Sequence, residues 1–559
     1  MSVNDSVGRN LTVKRNRAAF WISKVAEELK ARGDHPLVFS TAKTPSGPIH
    51  IGFGRELVYC DVLSKMLEAE GWRAVWVFFV DDFDSLKAFP PGIPSDFASQ
   101  SEYLGRPMYM VPCPYGCCEN WARHFAGEML KTLPSFGFNP KVYWTHEVYG
   151  WNEMKALVRK ALIEREKIRN ILLEVVTPTL DGKRLEAFKR EMEDWYPCLV
   201  VCENCGRLMT TKVLGYDPES DLVSYQCQAC NHKGEVKLAA WPVKLRWRID
   251  WPAKWALFKV SCEPAGKDHC VKGGAYDTGE RILAEVFEGK PPVRIPYEWI
   301  LLGARAMKTH KGIAFTFTEW LKTAPPEIYR YIILREDPKK HIAFSPERIP
   351  QLIDEFERLE AIHFKAEKPS NPVEEALAEN VYPLCFPERP PAERPARLPY
   401  RFAIILSQLE PLLGKEKVKA KALQVLEKLG GRRPSAQEIS EALVRLSLAE
   451  YWVANYAEES FKIEIAEKVS SEVKASLTEG ERAALKELIQ MLESKEWGEE
   501  ELQYQIFELG KKLGIGTKIF QAVYKVFLGR NFGPRLAPFL LSLEKEFVIQ
   551  RLKEATREG

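Results

Sequence analysis

The stretch TAKTPSGPIHIGFGREL, from Thr41 to Leu57, determines how the N-terminal part of the chain folds. It follows a short apolar segment, PLVFST (36–41), and continues into GRELVYCDVLSKMLEAEG (54–71), which has helical periodicity and ends at a glycine. A second apolar strand with acidic residues at its end, WRAVWVFFVDD (72–82), comes next. Strand, helix and strand in this order predict the first unit of a parallel, doubly wound sheet.

The turn inside this stretch has the composition of a phosphate-binding site. Ser46, Gly47 and Gly52 bracket a tight turn before the helix, and His50 lies within it. Free backbone N–H groups at a helix start favour an anion, and glycine lets the backbone approach a phosphate closely. An imidazole here could donate a hydrogen bond to a phosphoryl oxygen as charge develops on it. A histidine that only caps the turn is the alternative interpretation of this stretch taken alone.

Length and composition indicate a multidomain globular protein. The chain has 559 residues, of which 45% are hydrophobic and 28% charged, and its net charge of +3 is too small to indicate nucleic-acid binding by itself. The first 20 residues contain no apolar leader segment. The longest apolar run, AVWVFFV (74–80), is far shorter than the roughly 20 residues that span a bilayer. We therefore expect a cytoplasmic protein without a membrane partner.

The cysteines form two groups with the spacing of metal ligands. CENC and CQAC place Cys202, Cys205, Cys227 and Cys230 in a C-x₂-C-x₂₁-C-x₂-C pattern, which is typical of a structural zinc ribbon rather than of free thiols. A second group, in CPYGCCENWARH, contains Cys113, Cys117, Cys118 and His124. For this group, a second zinc site and buried thiols beside a turn are equally consistent with the sequence.

The pattern along the chain predicts an α/β fold: a Rossmann-like doubly wound parallel sheet, split by a zinc-containing insertion and followed by an all-helical C-terminal domain. The predicted divisions are an N-terminal arm (1–19), the first half of the Rossmann-like domain (20–105), a connective insertion (106–259) with the zinc ribbon (198–235), the second half of the Rossmann-like domain (260–345), connecting helices with a Pro-rich linker (346–400), and a helical domain (401–559).

Two short motifs resemble the signatures of class I aminoacyl-tRNA synthetases. The pattern T-P-S-G-x-x-H-x-G is similar to the HIGH signature, which binds ATP in that family. AMKTHKG (306–312) is similar to the second signature, KMSKS, and retains Met307 and Lys311. Phe53 stands where the first signature has its last polar residue, and Ala306 stands where the second has its first lysine.

Longer strings narrow the resemblance to class I lysyl-tRNA synthetases. These are KLRWRIDWPAKWALFKV (244–260), EPAGKDHCVKGGAYDTG (263–279), PYEWI (296–300) and GPRLAPFLLSLEKEFVIQRL (533–552). The resemblance implies ATP-dependent activation of L-lysine to lysyl-adenylate and its transfer to tRNA(Lys), with Mg²⁺ accompanying ATP, a structural Zn²⁺ and an anticodon-binding role for residues 401–559. It gives no indication of an oligomer, and we expect a monomer. The alternatives are a class I synthetase for another amino acid and a catalytically impaired tRNA-binding paralogue.

The resemblance also implies roles for individual residues. His50 and Lys311 would be catalytic. The residues expected to bind ATP are Pro45, Ser46, Gly47, His50, Gly52, Gly266, Asp268, Met307 and Lys311. The residues expected to bind the amino acid are Ala42, Thr44, Asp81, Trp247, His269 and Tyr297, where the acidic and aromatic groups suit a long ammonium side chain. For each aromatic residue taken alone, packing in the core is the more common role.

Overall fold

The computed structural model of the protein describes residues 20–303, 305–306 and 315–557. The expected N-terminal arm (1–19) and the signature residues Met307 and Lys311 lie outside the described residues. Within the described part of the chain, every helix is too short or too polar to cross a bilayer.

The strands belong to four sheets. In chain order they are β1 (Leu37–Lys43), β2 (Ala74–Val80), β3 (Lys141–Trp144), β4 (Cys198–Val200), β5 (Thr211–Asp217), β6 (Leu222–Cys227), β7 (Lys233–Lys237), β8 (Val243–Leu245), β9 (Cys262–Gly266), β10 (Val293–Tyr297), β11 (Ile300–Leu302), β12 (Arg305–Ala306) and β13 (Ile342–Phe344). The main sheet has the order β10-β9-β1-β2-β3, and the smaller sheets have the orders β12-β11-β13, β4-β8 and β5-β6-β7.

Helices connect and cover these sheets. Up to residue 334 they are α1 (Phe20–Arg32), α2 (Gly54–Ala69), α3 (Ser95–Ala98), α4 (Trp121–Leu130), α5 (Thr145–Val148), α6 (Asn152–Ile163), α7 (Arg165–Val176), α8 (Gly182–Glu193), α9 (Trp247–Phe258), α10 (Lys267–Cys270), α11 (Ala275–Glu285), α12 (Phe317–Thr323) and α13 (Pro326–Leu334). Beyond it they are α14 (Ile349–His363), α15 (Pro372–Asn380), α16 (Tyr400–Gln408), α17 (Glu410–Leu413), α18 (Lys415–Gly430), α19 (Ala436–Tyr456), α20 (Ser471–Ser476), α21 (Glu479–Ser494), α22 (Glu499–Lys512), α23 (Lys518–Leu528), α24 (Leu536–Ser542) and α25 (Lys545–Thr556).

The main sheet confirms the predicted doubly wound parallel fold. All four neighbouring strand pairs in it are parallel, and β1 pairs with β2 along its whole length, from Leu37 opposite Ala74 to Lys43 opposite Val80. The first five residues of β1 and the last five of β2 are buried, as expected for strands covered on both faces. The chain order reverses between β1 and β9, and ligands of such sheets bind beyond the carboxyl ends of the strands at this point.

Strand β3 lies at a position that the sequence pattern does not reveal. It falls within residues 106–259, the range expected to form the insertion, yet it pairs with β2 at the edge of the main sheet. Its four residues do not alternate in burial, since the first two are exposed and the last two half-buried, and they are too few to give a periodic signal. The insertion that separates the two halves of the sheet therefore begins after Trp144.

The described chain divides into two compact units. Among the described residues, one comprises 20–303, 305–306, 315–320, 326–344 and 365–390, and the other comprises 321–325, 345–364 and 391–557. Helices α16–α25 make the C-terminal region all-helical, as predicted. Capping boxes begin two of these helices, Ser435 with Glu438 at α19 and Thr478 with Glu481 at α21, which satisfies backbone N–H groups that have no partner within the helix.

Candidate active site

The expected ligand-binding residues come together at the carboxyl edge of the main sheet. Ala42 is the second-to-last residue of β1 and Thr44 follows the strand. Gly266 and Tyr297 end β9 and β10 and lie opposite each other in the register. Asp81 follows the end of β2. Trp247 begins α9 in the insertion, and Asp268 and His269 lie in the short α10 directly after β9. The topology thus gathers these residues from five segments.

The turn after β1 is held in place from several directions. The indole N–H of Trp121 donates to the carbonyl oxygen of Pro45 at 3.0 Å, and the backbone N–H of Ile51 donates to Phe315 at 2.8 Å. The hydroxyl of Tyr329 donates to the carbonyl oxygen of Ile51 at 2.6 Å. Gly54 packs so closely on Tyr329 that an added Cβ would lie 1.8 Å from its hydroxyl oxygen. The backbone that is expected to hold the phosphates is therefore fixed before any ligand binds.

His50 presents one defined hydrogen-bond donor. Its Nδ1 accepts the backbone N–H of Gly52 at 3.1 Å, so the proton of the neutral ring is on Nε2. Burial, together with the charge of Lys43, lowers the pKa of His50 to about 3. The imidazole is therefore neutral at physiological pH and keeps Nε2–H as a donor for an anionic oxygen.

Aromatic rings form one wall of the site. Trp247, which is 45% exposed, stacks on Trp251 with ring centroids 5.2 Å apart and planes 22° from parallel. His269 contacts both indoles edge-on, at 5.1 Å and 5.7 Å between centroids. Tyr276 packs against Trp251 at 5.3 Å. This wall can cover a long aliphatic chain and attract a cation to the ring faces.

Two carboxyl groups lie next to this wall, the half-buried Glu56 and the buried Glu263, and the sequence pattern did not identify either one. Glu56, in the first turn of α2, accepts a short hydrogen bond from the hydroxyl of Tyr297. Glu263, in β9, accepts the indole N–H groups of Trp251 at 2.9 Å and Trp255 at 2.6 Å. In sequence, Glu56 reads as an ordinary surface carboxylate in a helical first turn, and no local motif marks Glu263.

Burial raises the pKa of both carboxyl groups to near neutral pH. Desolvation raises the pKa of Glu56 to about 8, with a further increase from the charge of Glu263. Desolvation likewise raises the pKa of Glu263 to about 7, against the hydrogen bonds from the two indoles. The charge of Lys43 lowers the pKa of Glu56 in part, but among the described residues no Lys or Arg forms an ion pair with Glu56 within 4 Å. A cationic ligand would supply the charge that Glu56 lacks.

Asp81 differs from Glu56, because it already forms an ion pair with a lysine of the protein. It forms an ion pair with Lys254, and the hydroxyl of Thr145 donates to it at 2.8 Å. Lys254 also pairs with Asp250 at 3.0 Å. Although burial opposes its charge, the carboxylates of Asp250 and Asp81 raise the pKa of Lys254. Asp81 therefore helps to form a buried ionic cluster within the protein.

Thr44 links this ionic cluster to the expected amino-acid site. Its hydroxyl donates to Asp84 at 2.8 Å, and the other oxygen of Asp84 lies 3.0 Å from the ammonium of Lys244. Lys244 is 4% exposed and also lies 3.6 Å from Asp250. The position of Thr44 is therefore set by groups from the insertion as well as by β1.

The four cysteines of the predicted ribbon converge on one point. The ligand atoms of Cys202, Cys205, Cys227 and Cys230 all lie within 4.8 Å of one another. The Sγ atoms of Cys202 and Cys230 are 3.6 Å apart, as are those of Cys205 and Cys227. Tetrahedral zinc with Zn–S bonds of about 2.3 Å places sulfurs roughly 3.8 Å apart. Both the donor set and its spacing fit a closed tetrahedral ion.

The second group also converges. The ligand atoms of Cys113, Cys117, Cys118 and His124 lie within 4.8 Å of one another. Nδ1 of His124 lies 3.2 Å from the Sγ of Cys117, and its Nε2 lies 3.7 Å from Glu128. A metal-bound histidine commonly directs its other ring nitrogen to a carboxylate in this way. The arrangement favours the metal-site interpretation over buried thiols.

Comparisons with known proteins agree with this geometry. Residues 19–385 match the family described as tRNA synthetases class I (K), and residues 406–556 match the family described as anticodon binding domain. A lysine–tRNA ligase of Methanocaldococcus jannaschii is 36% identical over 95% of this chain and 99% of its own length. Lysine–tRNA ligases of Methanosarcina barkeri and Archaeoglobus fulgidus are each 35% identical over 96% of this chain, covering 97% and 99% of their own lengths.

Proposed function

The chain belongs to the class I (K) family of tRNA synthetases, and from this we propose that it is a lysine–tRNA ligase. An oxygen of the lysine carboxylate attacks the α-phosphorus of ATP. The bond to the β-phosphate breaks, which gives lysyl-adenylate and pyrophosphate. A ribose hydroxyl at the 3′ end of tRNA(Lys) then attacks the acyl carbon, and AMP leaves. No covalent enzyme intermediate is required, so the residues contribute positioning and charge stabilisation.

The observation that carries the choice of lysine is the carboxyl group of Glu56, which forms no ion pair among the described residues. It lies beside Tyr297, within a site walled by Trp247 and Trp251. The lysine ammonium would ionise Glu56 and bind to it, while the aliphatic part of the substrate packs on the indoles. Asp81 is less suited to this role because Lys254 already neutralises it. Ala42, Thr44 and His269 would hold the α-amino and carboxylate end.

The ATP side of the site would use the turn after β1. Pro45, Ser46, Gly47 and Gly52 provide the backbone surface for the phosphates, and Nε2–H of His50 would donate to the transferring phosphate. Gly266 and Asp268 would hold the ribose. From the sequence resemblance, Met307 and Lys311 would close over the triphosphate. Mg²⁺ would accompany ATP and offset phosphate charge.

We assign zinc to the two cysteine clusters. Cys202, Cys205, Cys227 and Cys230 would hold one structural ion, and Cys113, Cys117, Cys118 and His124 would hold a second. Each site has four protein ligands and so leaves no position for a substrate, as is usual for structural zinc. Their role would be to order two segments that reach the active site: the connection between β2 and β3, through Trp121, and the insertion after β3, through Lys244 and Trp247.

Residues 401–559 would bind the anticodon. The match of 406–556 to the anticodon-binding family supports this role. Several cations that the sequence offers for phosphate contact already have carboxylate partners: Lys511 lies 2.9 Å from Glu508, and Lys512 lies 2.9 Å from Glu487. Binding of tRNA would have to exchange such pairs for phosphate contacts, which favours selective over general nucleic-acid binding.

We expect the enzyme to act as a cytoplasmic monomer.

ATP–pyrophosphate exchange with a panel of amino acids tests the proposal. Lysine should drive exchange, whereas arginine, ornithine, glutamate and glutamine should drive it at least about 100-fold less well, since each misplaces or lacks the terminal ammonium. Exchange with another amino acid but not lysine would identify a related ligase. Binding of tRNA without any exchange would identify the catalytically impaired paralogue.

A further inference from the structure

A histidine–aspartate pair lies at the same sheet edge and has no part in the chemistry described above. Thr145 and His146 follow β3 directly and begin α5. Nδ1 of His146 lies in close contact with one carboxylate oxygen of Asp82, and the backbone N–H of His146 donates to the other oxygen at 3.0 Å. Asp82 is only 1% exposed, so the structure fixes the carboxylate that orients the ring.

Tyr109 holds the imidazole from its face. The two rings stack with centroids 4.4 Å apart and planes 9° from parallel, and the backbone N–H of Tyr109 donates to the carbonyl oxygen of Asp82 at 3.0 Å. A side chain that is held by a carboxylate at Nδ1, by a stacked ring and through its own backbone N–H has one fixed orientation. The pair is therefore a built feature of the fold rather than a loose surface contact.

The fixed ring presents one free acceptor. Because Nδ1 faces a carboxylate, the proton of the neutral ring is on Nδ1 and Nε2 carries a lone pair. Among the described residues, none makes a hydrogen bond to Nε2, and 25% of the side chain is exposed. The imidazole can thus accept a hydrogen bond from a molecule outside the protein.

The pair is connected to the amino-acid side of the active site. In the sequence, Asp82 stands between Asp81 and Asp84. The hydroxyl of Thr145 donates to Asp81 at 2.8 Å, and the hydroxyl of Thr44 donates to Asp84 at 2.8 Å. The charges of Asp81 and Asp84 are compensated by Lys254 and Lys244. With the ends of β1, β9 and β10 assigned to ATP and lysine, His146 is an unassigned polar group at the adjoining ends of β2 and β3.

We propose that Nε2 of His146 accepts a hydrogen bond from a ribose hydroxyl of the 3′-terminal nucleotide of tRNA and so orients it toward the acyl-adenylate. This inference rests on the proposed function. A hydroxyl suits the site better than a phosphate, because the carboxylate of Asp82 behind the ring would repel an anion. Asp82 is then a positioning residue that acts through the imidazole, and Tyr109 keeps the ring in plane.

The two half-reactions separate this role from a structural one. In His146→Ala, lysine-dependent ATP–pyrophosphate exchange should stay within about twofold of wild type, while single-turnover transfer from preformed lysyl-adenylate to tRNA should slow about 10- to 100-fold. His146→Gln, whose amide oxygen can accept a hydrogen bond, should recover part of the transfer rate. Asp82→Asn should slow transfer as well, because the ring loses its fixed tautomer. The matched control His363→Gln, at the end of α14, should affect neither step.

Unchanged transfer in His146→Ala would overturn the proposal, and so would equal losses in exchange and transfer, which would indicate a structural role. If the wild-type protein showed no exchange with any amino acid, the proposed function would fail, and tRNA with 2-aminopurine as its last base would test the inference by binding alone. A smaller fluorescence change in His146→Ala than in wild type at saturating protein would support contact with the 3′ end. An identical change would contradict it.

Discussion

His50 shows how burial and one hydrogen bond set the chemistry of a single side chain. Exposed imidazoles titrate near pH 6.5, but the pKa of His50 falls to about 3 because it is buried near the ammonium of Lys43. The N–H of Gly52 occupies its Nδ1, so the ring can act toward a phosphate only as a neutral donor through Nε2. The same residue in an open turn would be charged over part of the physiological range and would lack a fixed tautomer.

At the same scale, Glu56 predicts how lysine affinity depends on pH. Its pKa of about 8 means that it is protonated at lower pH in the free protein, whereas binding of an ammonium requires the carboxylate. Lysine, with a side-chain pKa near 10.4, stays cationic throughout. We expect the KM for lysine in pyrophosphate exchange to fall up to about tenfold per pH unit between roughly 6 and 8, and to level off above the pKa of Glu56.

The variant Glu56→Gln isolates this effect from the titration of Glu263. It should raise the KM for lysine by roughly 30- to 1000-fold, which corresponds to about 2–4 kcal/mol for a lost buried charge partner. The steep dependence on pH should disappear with it. Tyr297→Phe, which removes only the hydroxyl donor to Glu56, is the matched control and should have the smaller effect. A pH profile of Glu56→Gln that parallels wild type would assign the lysine-binding carboxylate elsewhere.

At the scale of structural elements, the small antiparallel sheet β5-β6-β7 and the pair β4-β8 have little core of their own. Strand β5 alternates between buried and exposed residues, and its register with β6 shifts between Val213 and Gly215. A sheet this small rarely folds stably without further constraint. The cysteine cluster joins the end of β6 to the segment after β4, so ligation of one ion would hold the three-stranded sheet and the strand pair together.

We predict that the purified protein carries two tightly bound zinc ions and that Cys227→Ser carries one. Because ligation is coupled to folding, limited proteolysis of this variant should cleave within 198–237, where the intact protein resists. Zinc content by mass spectrometry and the sites of cleavage measure both effects. The buried, isolated Cys385 supplies the control, and Cys385→Ser should keep both ions. A variant Cys227→Ser that retained the zinc content of wild type would exclude this ligand set.

At the scale of the whole molecule, binding of tRNA and binding of lysine, two of the three substrates of the proposed reaction, should respond differently to salt. The protein has a net charge of only +3, so contact with tRNA depends on local cations, many of them already in ion pairs. Each phosphate contact releases condensed counterions, whereas lysine meets a buried site that bulk salt screens much less.

Raising the salt concentration from about 50 to about 200 mM should therefore increase the KM for tRNA in aminoacylation by roughly 10- to 100-fold. The KM for lysine in pyrophosphate exchange should change less than about twofold. Steady-state kinetics of both reactions in the same buffers would measure the difference. Parallel changes in the two KM values would instead indicate that salt acts on the folded structure as a whole.

Local sequence determined the framework of this protein. The strand, helix and strand around Thr41–Leu57, the spacing of Cys202 to Cys230 and the helical C-terminal region were all predicted from patterns within short segments, because periodicity, capping and ligand spacing depend on neighbours along the chain. The position of His50 in the turn between β1 and α2 was predicted for the same reason. Strand β3 could not be predicted in this way, since its four residues become a strand only through pairing with β2.

Only the tertiary structure decided which carboxyl groups form ion pairs within the protein. Glu56 and Tyr297 are 241 positions apart, and Asp81 and Lys254 are 173 apart. No local pattern could therefore show that Asp81 forms an ion pair within the protein whereas Glu56 contacts a tyrosine hydroxyl. Long-range packing also placed α14 in the unit that contains the C-terminal helices, across the predicted boundary at residue 400. The physical reason is that the energy of a buried charge depends on every group around it, and the fold, rather than the adjacent sequence, brings those groups together.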